Sequence, residues 1–386
     1  MAEQIVKPVR RVVTGNDSNG RSKVMWDGPA PSVRGGENGA NKWTDLWVWN
    51  ESPAPLNGQN DDGNLTYDFP GPPRGGHLRI VHGQGKPANY DASKDTRVLA
   101  PHAPKPRPSN RVWDRGGRNL FNSDMHKTET VDYAILLRGQ RRLILDDCEV
   151  DWKPGDVVIQ VGAYHQWSSP DQDGDVMYDM IASPSTDGLK GLAQGNDRIL
   201  RADPNRKLPG GTKAARRIVT IDREEGKGSL VVDGPTPDVC IDAARPGFST
   251  SRLWVTRGPA EIVYESLHLP RHIEPPPGGT VMNVACFPPD DTWKGKVGAA
   301  QVQAFFAAMG SPRASTYAPQ APHPYMQKTR TLEFGTVLEG EMVLVLDTQE
   351  VKMKAGDVAI IRGSNHAWSN RSGNRATVAI ATHDGK

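Results

Sequence analysis

The sequence predicts a mostly β protein made of two tandem units with few short helices, and three observations carry that prediction. Forty Gly and 32 Pro cut the 386 residues into short segments in which Val and Ile cluster, the pattern of many strands separated by turns. The length exceeds what one hydrophobic core usually organises. The chain also repeats itself, in order and with nearly constant spacing.

The first repeated block, RRVVTGNDSNGRSKVMWDGPAPSV from Arg10 to Val33, is matched by RRIVTIDREEGKGSLVVDGPTPDV from Arg216 to Val239, with ten of 24 positions identical. Leu46-Trp47-Val48 then recurs as Leu253-Trp254-Val255, and Gly75-Gly76 before an apolar run recurs as Gly278-Gly279. The last block is the longest. The 45 residues from Met125 agree with those from Met326 at 20 positions without a gap, and the offset between copies falls only from 206 to 201 along the way. Residues 1–202 form the first unit, 203–215 the linker, with Pro and Gly between Asp203 and Gly211, and 216–386 the second unit.

Within the last block, Asp132 to Leu145 and Val157 to Val161 are β-branched and apolar and are bounded by Asp-Asp, Pro-Gly-Asp and Gly, so they read as strands joined by tight turns. Gly155 and Gly356 each precede an Asp and an apolar run, where a turn needs a backbone that glycine adopts cheaply. The Pro-rich, basic segment from Lys86 to Asn110 has no period and reads as a lid or a loop. From Gly298, GAAQVQAFFAAMGSP has helical spacing closed by Gly310 and Pro312, the one short helix expected in the second unit.

Charge and composition narrow the partners. A net charge of +2, from 47 basic and 45 acidic residues, gives no large electrostatic footprint for nucleic acid or an anionic membrane, so a small-molecule substrate is the expected partner. Cys148, Cys240 and Cys286 lie far apart in no ligand or redox spacing, which suits a reduced compartment and a structural role. The start, MAEQIVKPVRR, has no apolar run behind its charges, and no stretch approaches ~18 apolar residues. A cytoplasmic protein is expected.

Chemistry concentrates in the first copy. Residues two apart on a strand face the same side, which puts His126, Thr128 and Asp132 on one face; His165 follows the Pro-Gly-Asp turn, with Trp167 on its face. Two imidazoles and a carboxylate are a donor set that iron, manganese or zinc accepts. The second copy has Gln327, Thr329, Glu333 and His366 at the same places, exchanging an imidazole for a neutral amide, and reads as a degenerate barrel. Among the remaining histidines, His82 is the one expected to face a pocket, because its strand ends in a Gly-rich turn; His77 and His102 read as ordinary hydrogen-bonded residues.

The two 45-residue blocks resemble the cupin superfamily, whose first motif places His, His and Glu before a Gly and whose second places a His after a Pro-Gly-Asp turn. The resemblance implies an antiparallel jelly-roll β-barrel for each half, with Gly139 and Gly155 as motif glycines and His126, Asp132 and His165 at metal-ligand positions. Thr128 stands where the family has its second His, and Asp132 replaces the usual Glu. The function this implies is that of a bicupin enzyme holding a divalent transition metal, Fe(II) first and Mn or Zn next. A dioxygenase-type oxidoreductase acting on a small oxygenated or aromatic carboxylic compound leads, with Thr128 orienting a water or substrate oxygen and Trp167 lining the pocket. A metal-dependent decarboxylase, isomerase or hydrolase, and a non-catalytic small-ligand-binding bicupin, stand as alternatives. Exposed strand edges and the family's habit suggest a homodimer.

Overall fold

The central strands of the first half are buried along most of their length, Val157–Val161 at every residue, and the reason is that the large sheet has covering layers on both faces. The computed structural model describes residues 8–35, 41–65, 69–108, 111–183, 199–209, 212–224, 226–257 and 266–386. Asn110, at the end of the Pro-rich segment, and Gly210 and Gly211, in the linker, lie outside the described residues.

Two eight-stranded sheets dominate. One runs, in spatial order, Lys227–Pro235, Arg216–Glu224, Val157–Val161, Thr130–Gly139, Gly174–Ala182, Gly76–Gly83, Asn41–Trp49 and Ser32–Gly35. The other runs Asp238–Ile241, Ser249–Thr256, Thr280–Phe287, Ala376–Asp384, Thr331–Glu339, Val358–Arg362, Arg10–Asn16 and Ser22–Pro29. Each faces a small sheet, made of Arg141–Ile144 with Glu149–Trp152 and Gln166–Ser168 in the first half, and of Glu341–Leu346 with Glu350–Lys354 and His366–Ser369 in the second. The chain is thus mostly β, built as two β-barrel units, each with a large sheet facing a small one.

Alternation along one strand shows how the layers are assigned. On Thr130–Gly139, Ala134 and Leu136 point into the first barrel, against Leu143, Val150, Trp152 and Tyr178. Val131, Tyr133 and Ile135 point the other way, into a core shared with Leu332, Phe334, Val358 and Ile360 of the second sheet. The two large sheets therefore pack face to face, and their inner strands are apolar on both sides.

Sheet membership crosses the repeat boundaries. The hairpin that opens the first copy, Arg10–Asn16 with Ser22–Pro29, joins the second barrel's sheet by parallel pairing of Arg11, Val12 and Val13 with Val358, Ala359 and Ile360. The hairpin that opens the second copy joins the first barrel in the same way, Arg217 to Ile221 against Val157 to Val161. Matching ion pairs fasten both. Arg10 lies 2.7 Å from Asp27 and 2.8 Å from Asp357, and Arg216 lies 2.7 Å from Asp233 and 2.6 Å from Asp156. Asp156 and Asp357 are the aspartates that follow the turn glycines, so each turn holds the other copy's arginine.

The expected helix forms at Ala299–Ala308, with Gly298 before it and Gly310 at φ +72° ending it. The three cysteines are free and half-buried. No helix among the described residues is long and apolar enough to cross a membrane.

Candidate active site in the first barrel

His126 and His165 are brought together by backbone. His126 opens the strand His126–Thr128, His165 lies in the bend before Gln166–Ser168, and each donates its amide to the other's carbonyl at 2.9 Å. The strand that follows the Pro-Gly-Asp turn stops at Val161, and the bridge with His126 holds His165. The imidazole centroids are 4.5 Å apart.

The ring protons follow from the partners. His126 Nδ1 lies 2.7 Å from the Asp124 carbonyl and His165 Nδ1 2.9 Å from the Ala163 carbonyl. A carbonyl only accepts, so both Nδ1 atoms carry hydrogen and both Nε2 atoms hold a lone pair. Burial, helped by the Arg107 charge, pushes His126 down to about 4. Burial and the neighbouring His126 push His165 well below its ordinary value. Two neutral imidazoles with bare Nε2 atoms line one cavity.

Asp132 lines the same cavity from Thr130–Gly139, opposite Gln160 and Met180. It is 3% exposed, and its Oδ1 is buried with no hydrogen-bond partner. Burial raises its carboxyl to about 7, against the Thr130 hydroxyl and with the help of Asp179. Among the described residues, however, no three His, Cys, Asp or Glu side chains are grouped so that they could hold a metal ion. The donors suit a metal chemically and the imidazole pair is ready for one; the structure does not gather Asp132 into a group with that pair.

Trp167 lies on the cavity wall, its ring 5.1 Å from His165, 5.5 Å from Trp152 and 5.5 Å from Tyr178. Thr128 is elsewhere. Its hydroxyl shares a 2.5 Å hydrogen bond with Thr130, it is not among the cavity-lining residues, and Thr329 and Thr331 repeat the bond at 2.6 Å in the second barrel. His82 does not line the cavity either; its Nδ1 pairs with Asp175 at 2.7 Å.

The cavity measures about 570 Å³, the size of a small-ligand site. Sequence reasoning missed its cationic lining. Arg34, Arg79, Arg97, Arg107, Arg118 and Arg141 all reach it. Arg97 and Arg107 come from the Pro-rich segment, which runs along the cavity and is tied to Arg115–Arg118 through the amides of Leu99, His102 and Gly117. For Arg141 a signal was present: it aligns with Met342, a difference between the copies as large as His126 against Gln327.

The second barrel closes on itself. His366 Nε2 lies 3.3 Å from Glu333 and 3.3 Å from Gln327 Nε2, and its Nδ1 bonds the Ser364 carbonyl at 2.9 Å. Burial pulls His366 down, but the Glu333 charge and hydrogen bond outweigh it and hold the imidazole above its ordinary value. The space beside it is about 90 Å³ and is lined with Phe248, Phe287, Phe305 and Phe306.

Residues 314–382 match the model of the Cupin domain family. The chain is 52% identical over 48 residues to the Phomopsin biosynthesis cluster protein C' of Diaporthe leptostromiformis, over 12% of this chain and 25% of the relative. It is 42% identical over 59 residues to the cupin-domain-containing oxidoreductase virC of Hypocrea virens, over 15% of this chain and 30% of the relative. These matches span less than a third of either relative's length. Among solved structures, the oxalate decarboxylase of Lactobacillus farciminis in complex with formate aligns at TM-score 0.37 with 12% identity, over 92% of this chain and 84% of that one. The second half of the chain thus carries a cupin domain, and the first half carries the repeat that mirrors it.

Proposed function

We propose that the first barrel is a metal-dependent oxidoreductase site of the dioxygenase type, acting on a small carboxylic compound. The observation that carries this reading is the pair of neutral imidazoles, each tied back through Nδ1 and presenting a bare Nε2 in a buried, arginine-lined cavity. His126 and His165 would hold the ion, and Asp132 would have to move toward them to serve as its carboxylate ligand. When bound, a divalent ion supplies Lewis acidity and, if it is iron, electron transfer. The protein's part is to bind and orient. The arginines attract an anion, and Trp167, Tyr178 and Phe69 exclude water from around it. One relative's name, a cupin-domain-containing oxidoreductase, supports the same class.

The test is metal content after Fe(II) loading, followed by oxygen uptake with a panel of catechols, gentisate-like acids and diketones. Stoichiometric iron that His126→Ala removes, together with uptake on one member of the panel, supports the reading. Iron retention without uptake points to a decarboxylase, isomerase or hydrolase. The separation of Asp132 from the imidazole pair favours a different second reading, a barrel that binds a small acid without catalysis. Substoichiometric metal unchanged in His126→Ala and His165→Ala selects that one.

A further inference from the structure

Arg141 differs from most of its cationic neighbours in the cavity. Arg34 and Arg79 pair with Asp45, Arg107 with Asp114 and Asp124, and Arg118 with Asp124. Arg141 is 4% exposed, has no ion pair among the described residues, and its Nε is buried without a partner. Its Nη1 donates to the Ser169 hydroxyl, which also lines the cavity. Burial lowers its hold on the proton, and the acidic groups that oppose this, Tyr178, Asp175 and Asp173, act only through space. A guanidinium kept in such a place without an anion is costly.

The barrel does not need it for packing. At the equivalent place the second copy has Met342, fully buried in that barrel's apolar core, while the flanking Leu143 and Leu344 are the same residue. The first barrel also makes room for the charge. A Cβ on Gly83 would meet Arg141 Nη2 at 2.0 Å and Nη1 at 2.1 Å, so the guanidinium lies against bare backbone. Tyr178 and Trp167, 5.5 Å apart, continue the wall from Arg141 toward His165.

We infer that Arg141 is the carboxylate anchor of this cavity, and that the ligand is an aromatic acid with its carboxylate on Arg141 and its ring against Tyr178 and Trp167. This rests on the reading of the cavity as the substrate site, but not on the metal. The opposite end of the acid faces His126 and His165, which leaves the anchor and the imidazoles as separable halves of one site.

Benzoate binding to the metal-free full-length protein, followed by tryptophan fluorescence and calorimetry, tests it, with benzamide as the neutral isostere. The expected result is saturable benzoate binding that Arg141→Met weakens about tenfold or more, as loss of a charge-assisted hydrogen bond does, with benzamide binding unchanged. Arg141→Lys keeps the charge and recovers part of the affinity, and Gly83→Ala, which displaces the guanidinium without removing it, weakens benzoate as well. Equal binding of benzoate and benzamide by the wild type overturns the inference, as does undiminished benzoate binding by Arg141→Met. So does the absence of benzoate binding by the wild type at concentrations on the order of 10 mM. Metal content is read separately, on the same variants after Fe(II) loading. His165→Ala that loses metal and keeps benzoate leaves the anchor standing, whereas Arg141→Met that keeps metal and loses benzoate identifies it without reference to the chemistry.

Discussion

The two histidines that follow the turn glycines, His165 and His366, sit in equivalent bridges and have opposite surroundings. His165 has another neutral imidazole and the Trp167 ring beside it and keeps its Nε2 lone pair, whereas His366 has Glu333 at 3.3 Å. His165→Ala is therefore expected to abolish metal binding, and His366→Ala to leave it largely intact; equal losses measured by metal analysis would contradict the assignment. The Glu333 pair also sets a pH dependence. His366 is held above its ordinary 6.5 in the folded chain, so the folded state binds its proton more tightly than the unfolded state. The stability from this pair is complete below about 6.5 and is lost as pH rises through the raised value. Thermal melts of wild type and Glu333→Gln should differ most at acidic pH and converge at alkaline pH; a gap that widens with pH would refute the pairing.

At the scale of single elements, the two motif glycines of the first barrel do different work. Gly155 has φ +89° and open space where a Cβ would stand. Gly155→Ala should cost only the left-handed backbone penalty, about 1 kcal/mol. Gly139 has φ +75° and a Cβ there would lie 1.7 Å from the Asp173 carbonyl oxygen. Gly139→Ala must push the Gly174–Ala182 strand away and should cost clearly more. Urea unfolding of the two variants gives the comparison, and equal costs would show that the contact relaxes freely. The small sheets matter for a related reason: Arg141 and Trp167 stand on adjacent paired strands, Arg141–Ile144 and Gln166–Ser168, so the proposed anchor and an aromatic wall share one rigid element.

Across the whole molecule, exchange of the opening hairpins makes each barrel depend on the other copy. A chain divided in the linker after Pro209 would leave the first barrel without Arg216–Glu224 beside Val157–Val161, and the second without Arg10–Asn16 beside Val358–Arg362. Each half would then expose a bare strand edge and half of the shared core. Expressed alone, the halves should aggregate; expressed together, they should assemble one to one into a soluble complex, read by size-exclusion chromatography. A half that folds as a stable monomer would show that the exchanged hairpins are dispensable. Further ties run through the shared core, where His383 pairs with the fully buried Asp179 at 3.0 Å and Tyr133 bonds Thr280 at 2.6 Å.

Much of this was legible in the residues, because local rules govern it. Strand periodicity, turn glycines and the 20 shared positions of the last block specify two β units, the helix after Gly298, and the asymmetry of His126 against Gln327. These depend on backbone conformation and on side chains a few residues apart. Position in space is another matter. Spacing alone could put Asp132 on the same face as His126 but not measure its separation from the imidazole pair. It could not show that Thr128 is spent on Thr130, that His82 pairs with Asp175 away from the cavity, or that Arg141 is left without a carboxylate. Nor does a repeat say which sheet its first hairpin joins, since an Arg–Asp pair and an apolar strand satisfy either barrel equally well. Apart from the Thr128–Thr130 bond, a local choice among rotamers, those outcomes depend on contacts between residues 28 to 347 positions apart, which only the folded chain brings within reach of one another.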